Sequence, residues 1–205
     1  MAQPQTTRDV IYNLACHIRG KVLDVGSGSA KYGEFIKDHC TNYETIDKNP
    51  NSSAAIIGDA ENMPIDDEQY DTVICNQLLE HVPHPSRVIT EIHRVLRNKG
   101  VCILTAPFLA AYHKDPEDYF RYTLAGLEVL FEEAGFQTID KGTYTPRWST
   151  AFQFLEFVYF SPYRPNQGGW AKRIARLGLR LARVLDRNAD EHVFYGNSYI
   201  VAQKA

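Results

Sequence analysis

The chain has 205 residues, of which 44% are hydrophobic and 23% charged, and its net charge is −3. That is enough for one domain with a sizeable core, and it excludes a collagen, a disordered tail and a disulfide-stapled miniprotein. The near-neutral balance argues against nucleic acid as a partner, and no run of about 18 apolar residues is present to span a bilayer. Cys16, Cys40, Cys75 and Cys102 form no CxxC pair, so neither a zinc ribbon nor a redox motif is supported. The N-terminus lacks the apolar stretch of a secretory signal, and a reducing, cytoplasmic setting is the default expectation.

The predicted elements alternate. Val10, Ile11, Leu14 and Ile18 recur at helical spacing over 6–19, and Gly20 ends that helix. KVLDV (21–25) reads as a buried strand followed by a glycine-rich turn, then a helix over 30–40. TNYETID (41–47), SAAIIGDA (53–60) and YDTVICNQ (70–77) read as strands two to four. A proline-start helix is predicted over Pro85 to Asn98, with Gly100 as its stop, before a fifth strand at 101–107. A helix over 123–135 has Thr123 as N-cap and Gly135 as C-cap, followed by strands at 136–144 and 192–204. Such a pattern predicts a mostly parallel sheet covered on both faces, with its chemistry at the carboxyl ends of the strands. Residues 146–190 break the rhythm and read as an inserted cap within a single domain.

The most informative segment is VLDVGSGSAKYG (22–33). Gly26 and Gly28 permit a tight strand-to-helix turn with bare backbone for a ligand to lie against. A dinucleotide fingerprint would need glycine at 31, where Lys31 stands. Asp24, two residues before the first glycine, repels phosphate and attracts a cation. The turn therefore suits a positively charged ligand without phosphates. Asp47 ends the second strand, where an acid can accept hydrogen bonds from ribose hydroxyls.

With Asp24, the glycines, Asp47 and the later GDAENMP (58–64) in this order, the chain resembles the class I S-adenosylmethionine-dependent methyltransferases. It is most similar to the small-molecule enzymes with a type 11 methyltransferase domain. Their hhDxGxGxG motif is present with Ala30 in place of the third glycine, and the likeness spans roughly residues 20–140. The resemblance implies an α/β, doubly wound, mostly parallel seven-stranded sheet of Rossmann-like type with an α-helical insert before the last strand. It implies S-adenosylmethionine as cofactor and donor, with S-adenosylhomocysteine as product. It assigns Asp24, Gly26 and Gly28 to the donor, Asp47 to the ribose, Asp59 and Ala60 to the adenine with Met63 near the ring, and Asn76 to the methionine end. LLEHVPHP (78–85) resembles a further family stretch, in which the first histidine is used structurally.

For the acceptor, the loop 106–123 is long, aromatic and charged. His113 is the first candidate for a base, with Asp115 to orient it; the competing reading is that it only ties the loop. His81 and His84 are weaker candidates. Arg121 suits an anionic acceptor or an ion pair with Glu117 or Asp118, and Tyr119 stands beside it as a candidate acceptor contact. No metal ligand set is identified, and methyl transfer needs none.

Within the insert, WSTAFQFLEFVYFSPY (148–163) is crowded with aromatics. Residues 169–187 form a basic amphipathic helix with Ile174, Leu177, Leu181, Val184 and Leu185 on one face. From Arg164 to Arg187 seven basic residues face one acid, net +6, which leaves −9 for the rest of the chain. Two readings stand: a surface helix docked on the domain with a solvated basic face, or peripheral contact with an anionic membrane. The expected function is methyl transfer to a small-molecule or lipid-like acceptor at oxygen. The rivals are a donor-binding protein without turnover and a membrane-peripheral methyltransferase.

Overall fold

A computed structural model describes residues 4–114, 117–160, 169–186 and 193–205. Seven strands form one sheet: β1 (Lys21–Val25), β2 (Asn42–Asp47), β3 (Ile56–Ile57), β4 (Tyr70–Asn76), β5 (Leu96–Pro107), β6 (Phe136–Tyr144) and β7 (Asn197–Lys204). Their order is β3-β2-β1-β4-β5-β7-β6. Neighbours from β3 to β5 pair in parallel, and β7 runs antiparallel to both β5 and β6. The order reverses between β1 and β4, so their carboxyl ends diverge and leave a crevice there.

Because side chains alternate across a strand, each central strand feeds two cores. Leu23, Val25, Val73, Cys75, Cys102 and Leu104 pack on one face against α3 (Pro85–Val95) and α4 (Leu124–Glu133), through Val88, Ile89, Ile92, Leu127 and Phe131. Val22, Ile74, Val101 and Ile103 pack on the other face with Val10, Ile11, Leu14, Ile18 and Ile36. These contributors come from α1 (Thr7–Asn13), the short turn after it and α2 (Gly33–Lys37). This is the doubly wound arrangement predicted.

Several boundaries differ from expectation, each for a local reason. The first helix stops at Asn13 and continues only as a 3-10 turn, Ala15–His17; Thr6 caps its start in a capping box with Asp9. α2 begins at Gly33 rather than 30, because Ala30 is left-handed (φ 49°) and holds the chain in a turn. The third strand shrinks to two residues, since Ala55 donates to the Thr45 hydroxyl instead of a ladder carbonyl. α3 ends at Val95 rather than Asn98, because Leu96 is already extended and pairs with Tyr70. The last strand begins at Asn197, while part of its predicted start lies outside the described residues. Thr123 does cap α4, accepting from the Gly126 amide, and Gly135 adopts φ 87° after its end.

Between β6 and β7 the chain forms α5 (Arg147–Phe160) and α6 (Gly169–Leu185). The two cross closely where Gly178 meets Phe152: a Cβ at Gly178 would lie 2.2 Å from the ring. Ala182 is fully buried one turn further on. Asp186 is buried too, and accepts from the Trp148 amide and from the Ser149 amide and hydroxyl, which caps the start of α5. Among the described residues no helix is long and apolar enough to cross a membrane.

Candidate active site

The crevice at the switch point opens into a cleft of about 1110 Å³. Its walls bring together Gly26, Gly28, Asp47, Asp59 and Ala60, residues from three separate strand ends. A smaller cavity of about 190 Å³ adjoins it, walled by Asp24, Ser27, Lys31, Tyr32 and Asn76. Gly26 and Gln77 line both spaces. The seven residues expected at the donor thus each line one or the other of these two neighbouring spaces.

The glycines are there for backbone reasons. Gly26 has φ 68°, and a Cβ on it would strike the Leu78 side chain at 2.7 Å. Gly28 has φ 50° with open space where a Cβ would point, which leaves the backbone bare to the cleft. The Gly28 amide donates to Oδ2 of Asp47 at 2.8 Å, while Oδ1 of the same carboxylate accepts from the Asn49 amide. Asp59 accepts from the Glu61 amide through Oδ1 at 2.9 Å. Its loop is pinned by Arg94 of α3, whose guanidinium donates to the Met63 and Ile65 carbonyls and to Asp67 and Glu91. Met63, expected beside the base, is buried in the core instead.

Asp24 is 5% exposed and accepts a 2.6 Å hydrogen bond from the Tyr43 hydroxyl. Burial pushes its carboxyl up to about 6, against the lowering effect of Tyr43 and with some repulsion from Asp47. The Ser27 hydroxyl in the same wall is buried without a partner. A buried carboxylate short of counter-charge beside an unmet hydroxyl fits a cationic, hydrogen-bonding head group and opposes a diphosphate.

Sequence reasoning missed Gln77. It sits at φ 50°, a conformation costly for a side-chain-bearing residue, and its amide nitrogen donates to the Tyr144 and Thr105 hydroxyls. No pattern signals it, since strain at a strand end appears only once β4, β5 and β6 are assembled.

On the acceptor side the loop after β5 is clipped onto the 3-10 turn Leu79–His81. The Tyr119 amide donates to the Glu80 carbonyl at 2.7 Å, and the Tyr122 hydroxyl donates to the Leu79 carbonyl. His81, Glu117 and Tyr119 line the cleft; His113 lies behind, its ring 5.2 Å from that of His81 in an edge contact. Nδ1 of His81 lies 2.6 Å from the Glu117 carbonyl, and Nδ1 of His113 lies 3.1 Å from the Ala111 carbonyl. A carbonyl can only accept, so each neutral ring carries its proton on Nδ1 and leaves Nε2 as the basic nitrogen.

Beneath them Glu80 is fully buried, and both its carboxyl oxygens lack a hydrogen-bond partner. Desolvation pushes that carboxyl up to about 8, with Asp118 adding to the rise and Arg121 opposing it. Glu80, His81 and His113 each place one polar atom within 4.8 Å of the others, a spacing that a divalent ion could bridge and that is too long for direct hydrogen bonds. Glu80 and His81 are adjacent but His113 follows 32 residues later, and no ligand spacing announces the three.

Arg121 does not face the cleft. Its five N–H groups go to the Ala110, Ala111 and Phe120 carbonyls and, bidentately, to Asp118. That pairing holds the Asp118 carboxyl down at about 2 and fixes the loop, leaving no donor for an anionic acceptor. The partner is Asp118, one of the two expected. Asp115, expected to orient His113, lies outside the described residues; the His113 amide donates to Asp118 instead.

Comparison with known proteins agrees with this geometry. Residues 23–104 match the family model described as a methyltransferase domain. The 2-methyl-6-phytyl-1,4-hydroquinone methyltransferase 1 of Oryza sativa subsp. japonica is 29% identical over 147 residues, 62% of this chain and 44% of that protein. The ubiquinone biosynthesis O-methyltransferase of Pseudomonas aeruginosa (strain UCBPP-PA14) is 27% identical over 171 residues, 74% of this chain and 62% of that one. The chain thus spans about half the length of the curated relatives it matches. Among solved structures, a SAM-dependent methyltransferase from Archaeoglobus fulgidus superposes with a TM-score of 0.63 at 15% identity, covering 95% of this chain and 91% of that one. The [4+2]-cyclase SpnF gives 0.63 at 20%, covering 99% and 86%. With its glycine turn, strand-end acids and seven-stranded sheet, the chain carries over residues 23–104 a methyltransferase domain that resembles the class I S-adenosylmethionine-dependent type.

Proposed function

We propose that this protein transfers the methyl group of S-adenosylmethionine to an oxygen of a small, lipid-like acceptor. The observation that carries the reading is the gathering of the glycine turn, Asp47 and Asp59 around one cleft, with Asp24 in the small cavity that shares Gly26 with it. The fold alone does not carry it, since a cyclase shares that fold. The choice of oxygen and of a lipid-like acceptor draws on the names of the curated relatives, a phytyl hydroquinone methyltransferase and several ubiquinone biosynthesis O-methyltransferases.

The donor supplies an electrophilic methyl on a sulfonium, whose C–S bond breaks as the electron pair returns to sulfur. The chain's residues bind and align. Asp24 and the Ser27 hydroxyl meet the cationic amino-acid end, Asp47 accepts from the ribose hydroxyls, and Asp59 with the Ala60 backbone meets the adenine. Gly26 and Gly28 let the ligand lie on bare backbone. The acceptor oxygen must approach in line with the C–S bond, so alignment dominates the rate. His81, on the cleft wall with Nδ1 committed to the Glu117 carbonyl and Nε2 3.9 Å from a Glu80 carboxyl oxygen, is the base that we place beside the acceptor's hydroxyl. His113 stands behind it as a positioning residue, with Tyr119 at the rim.

Titration calorimetry with S-adenosylhomocysteine tests the donor half, and transfer of labelled methyl to a panel of phenols, hydroquinones and amines tests the acceptor half. Binding together with methylation of a hydroxyl acceptor supports the reading. Absence of donor binding overturns it, as does binding with transfer only to nitrogen. Repeating the transfer with a chelator separates the proton and cation uses of the Glu80–His81–His113 cluster: unchanged turnover supports His81 as a base.

A further inference from the structure

The basic helix docks through its small residues and not through its large apolar ones. α6 meets the domain through its small residues: Gly178 under Phe152, Ala182 with no exposure, and then buried Asp186. Its large apolar residues turn outward, with Leu177 66%, Leu181 55%, Val184 54% and Leu185 48% exposed. Leu155 of α5, half exposed, adds a further apolar side chain to the surface of the hairpin. Arg180 and Arg183 are exposed on the adjoining face. At 3.6 residues per turn the leucine stripe and the arginine stripe lie roughly a third of a turn apart, and neither is the face that docks.

We propose that this face of the α5–α6 hairpin lies on an anionic bilayer, with the leucine stripe inserted at the headgroup boundary and the arginines on lipid phosphates. Charge complementarity selects this occupant. Residues 164–187 carry net +6 in a chain of net −3, and their one acid, Asp186, is buried as the cap of α5. The segment therefore supplies no other acid to offset Arg180 and Arg183, which are exposed. A helix with an exposed apolar stripe beside a row of arginines has the pattern that seats at a headgroup surface. A second copy of the chain would bring the same positive charge to the same contact and repel it.

The hairpin also stands at the functional edge of the sheet. Pro107, Asn197 and Tyr144 are register partners at the ends of β5, β7 and β6, and α5 starts three residues after Tyr144. The carboxyl ends of β1 and β4, where the cleft opens, lie at that same edge. Lipid contact through α6 thus brings the cleft's end of the sheet to the bilayer, where an acceptor with a hydrocarbon tail resides. This last step rests on the proposed function; the lipid contact itself does not.

Co-sedimentation of the full chain with vesicles tests it, using phosphatidylcholine alone and roughly equal parts phosphatidylcholine and phosphatidylglycerol, at low and high salt. The expected result is pelleting with the anionic vesicles at low salt, release by salt, and little binding to phosphatidylcholine. Arg180→Gln and Arg183→Gln should each weaken binding roughly fivefold. Leu177→Ser with Leu181→Ser should abolish it while leaving S-adenosylhomocysteine affinity unchanged, because those side chains touch solvent and not the cleft. Three outcomes overturn the proposal: intact protein in the supernatant at low salt, equal binding to neutral vesicles, or a dimer that the leucine substitutions dissociate without any vesicle binding. Loss of vesicle binding with methyl transfer intact refutes this inference alone, and the converse refutes only the proposed function.

Discussion

The Gly28 amide and the Asp47 carboxylate are 2.8 Å apart, so the turn after β1 and the end of β2 are joined through one acidic side chain. The same carboxylate is the ribose acceptor in the proposed donor site, and its two oxygens carry both tasks. Asp47→Ala removes a charged acceptor and frees the glycine turn. The expected loss in S-adenosylhomocysteine affinity is roughly ten- to a hundredfold, the worth of a hydrogen bond to a charged group. Asp47→Asn keeps one acceptor for Gly28 and should fall between. Titration calorimetry reads the series, and wild-type affinity in Asp47→Ala would remove the ribose role.

Asp24 is held at a cost that its ligand relieves. Its folded value of about 6 exceeds the ordinary 3.8, so the folded chain binds this proton more tightly than the unfolded one. Stability therefore falls as pH rises from about 4 to about 6 and is level above, with a total cost of roughly 3 kcal/mol. Asp24→Asn removes the charge and still offers Tyr43 an acceptor. The variant should melt at a higher temperature than wild type near neutral pH without ligand, and bind S-adenosylhomocysteine at least about tenfold more weakly, a loss of about 1.4 kcal/mol. In wild type, donor affinity should weaken below pH about 6 as the carboxyl is protonated. A thermal-shift series with and without ligand checks both signs; a destabilised Asp24→Asn would contradict the electrostatic account.

Much of this site is legible in the sequence because its determinants are local. Gly26 and Gly28 follow a buried strand directly, and Asp24, Asp47 and Asp59 sit at strand ends that hydrophobic patterning locates. What patterning does not reach is the meeting of distant segments. Glu80 beside His113, Gln77 strained between β4 and β5, and Arg94 pinning the loop of Asp59 all depend on tertiary packing. Arg121 shows the opposite limit: its charge is plain in the sequence, but whether it meets a ligand or Asp118 is decided by the loop's closure. The orientation of α6 follows the same logic. Its leucines advertise a docking face, yet Gly178 and Ala182 permit a closer approach to Phe152 and take that place.

Glu80 makes a distinct claim about alkaline pH. Its carboxyl is raised to about 8 from the ordinary 4.5, chiefly by burial without partners. The folded chain thus keeps a proton that the unfolded chain releases, and stability declines as pH climbs from about 4.5 to about 8. Glu80→Gln resembles the protonated acid in shape and cannot ionise. Its melting temperature should stay nearer to constant over that range, so that its advantage over wild type widens to roughly 5 kcal/mol just above pH 8 and then holds. Parallel melting curves for the two proteins across pH would show the carboxyl to be ionised throughout.

Ala30 occupies the position where the related motif has its third glycine, and its φ of 49° shows why a glycine suits it. The turn is closed by two hydrogen bonds, Ala30 N to the Ser27 carbonyl and Gly33 N to the Ala30 carbonyl, so the conformation is fixed by its neighbours. A left-handed alanine is strained by about 1 kcal/mol or more through its Cβ. Ala30→Gly relieves that and loses part of the gain to the greater freedom of glycine in the unfolded chain. The net expectation is a stabilisation of about 0.5–1 kcal/mol, seen as a higher urea midpoint with an unchanged slope. Donor affinity should not change, because the backbone path past Gly26 and Gly28 stays the same. Ala30→Val, with a branched carbon in the same left-handed position, should move the midpoint the other way.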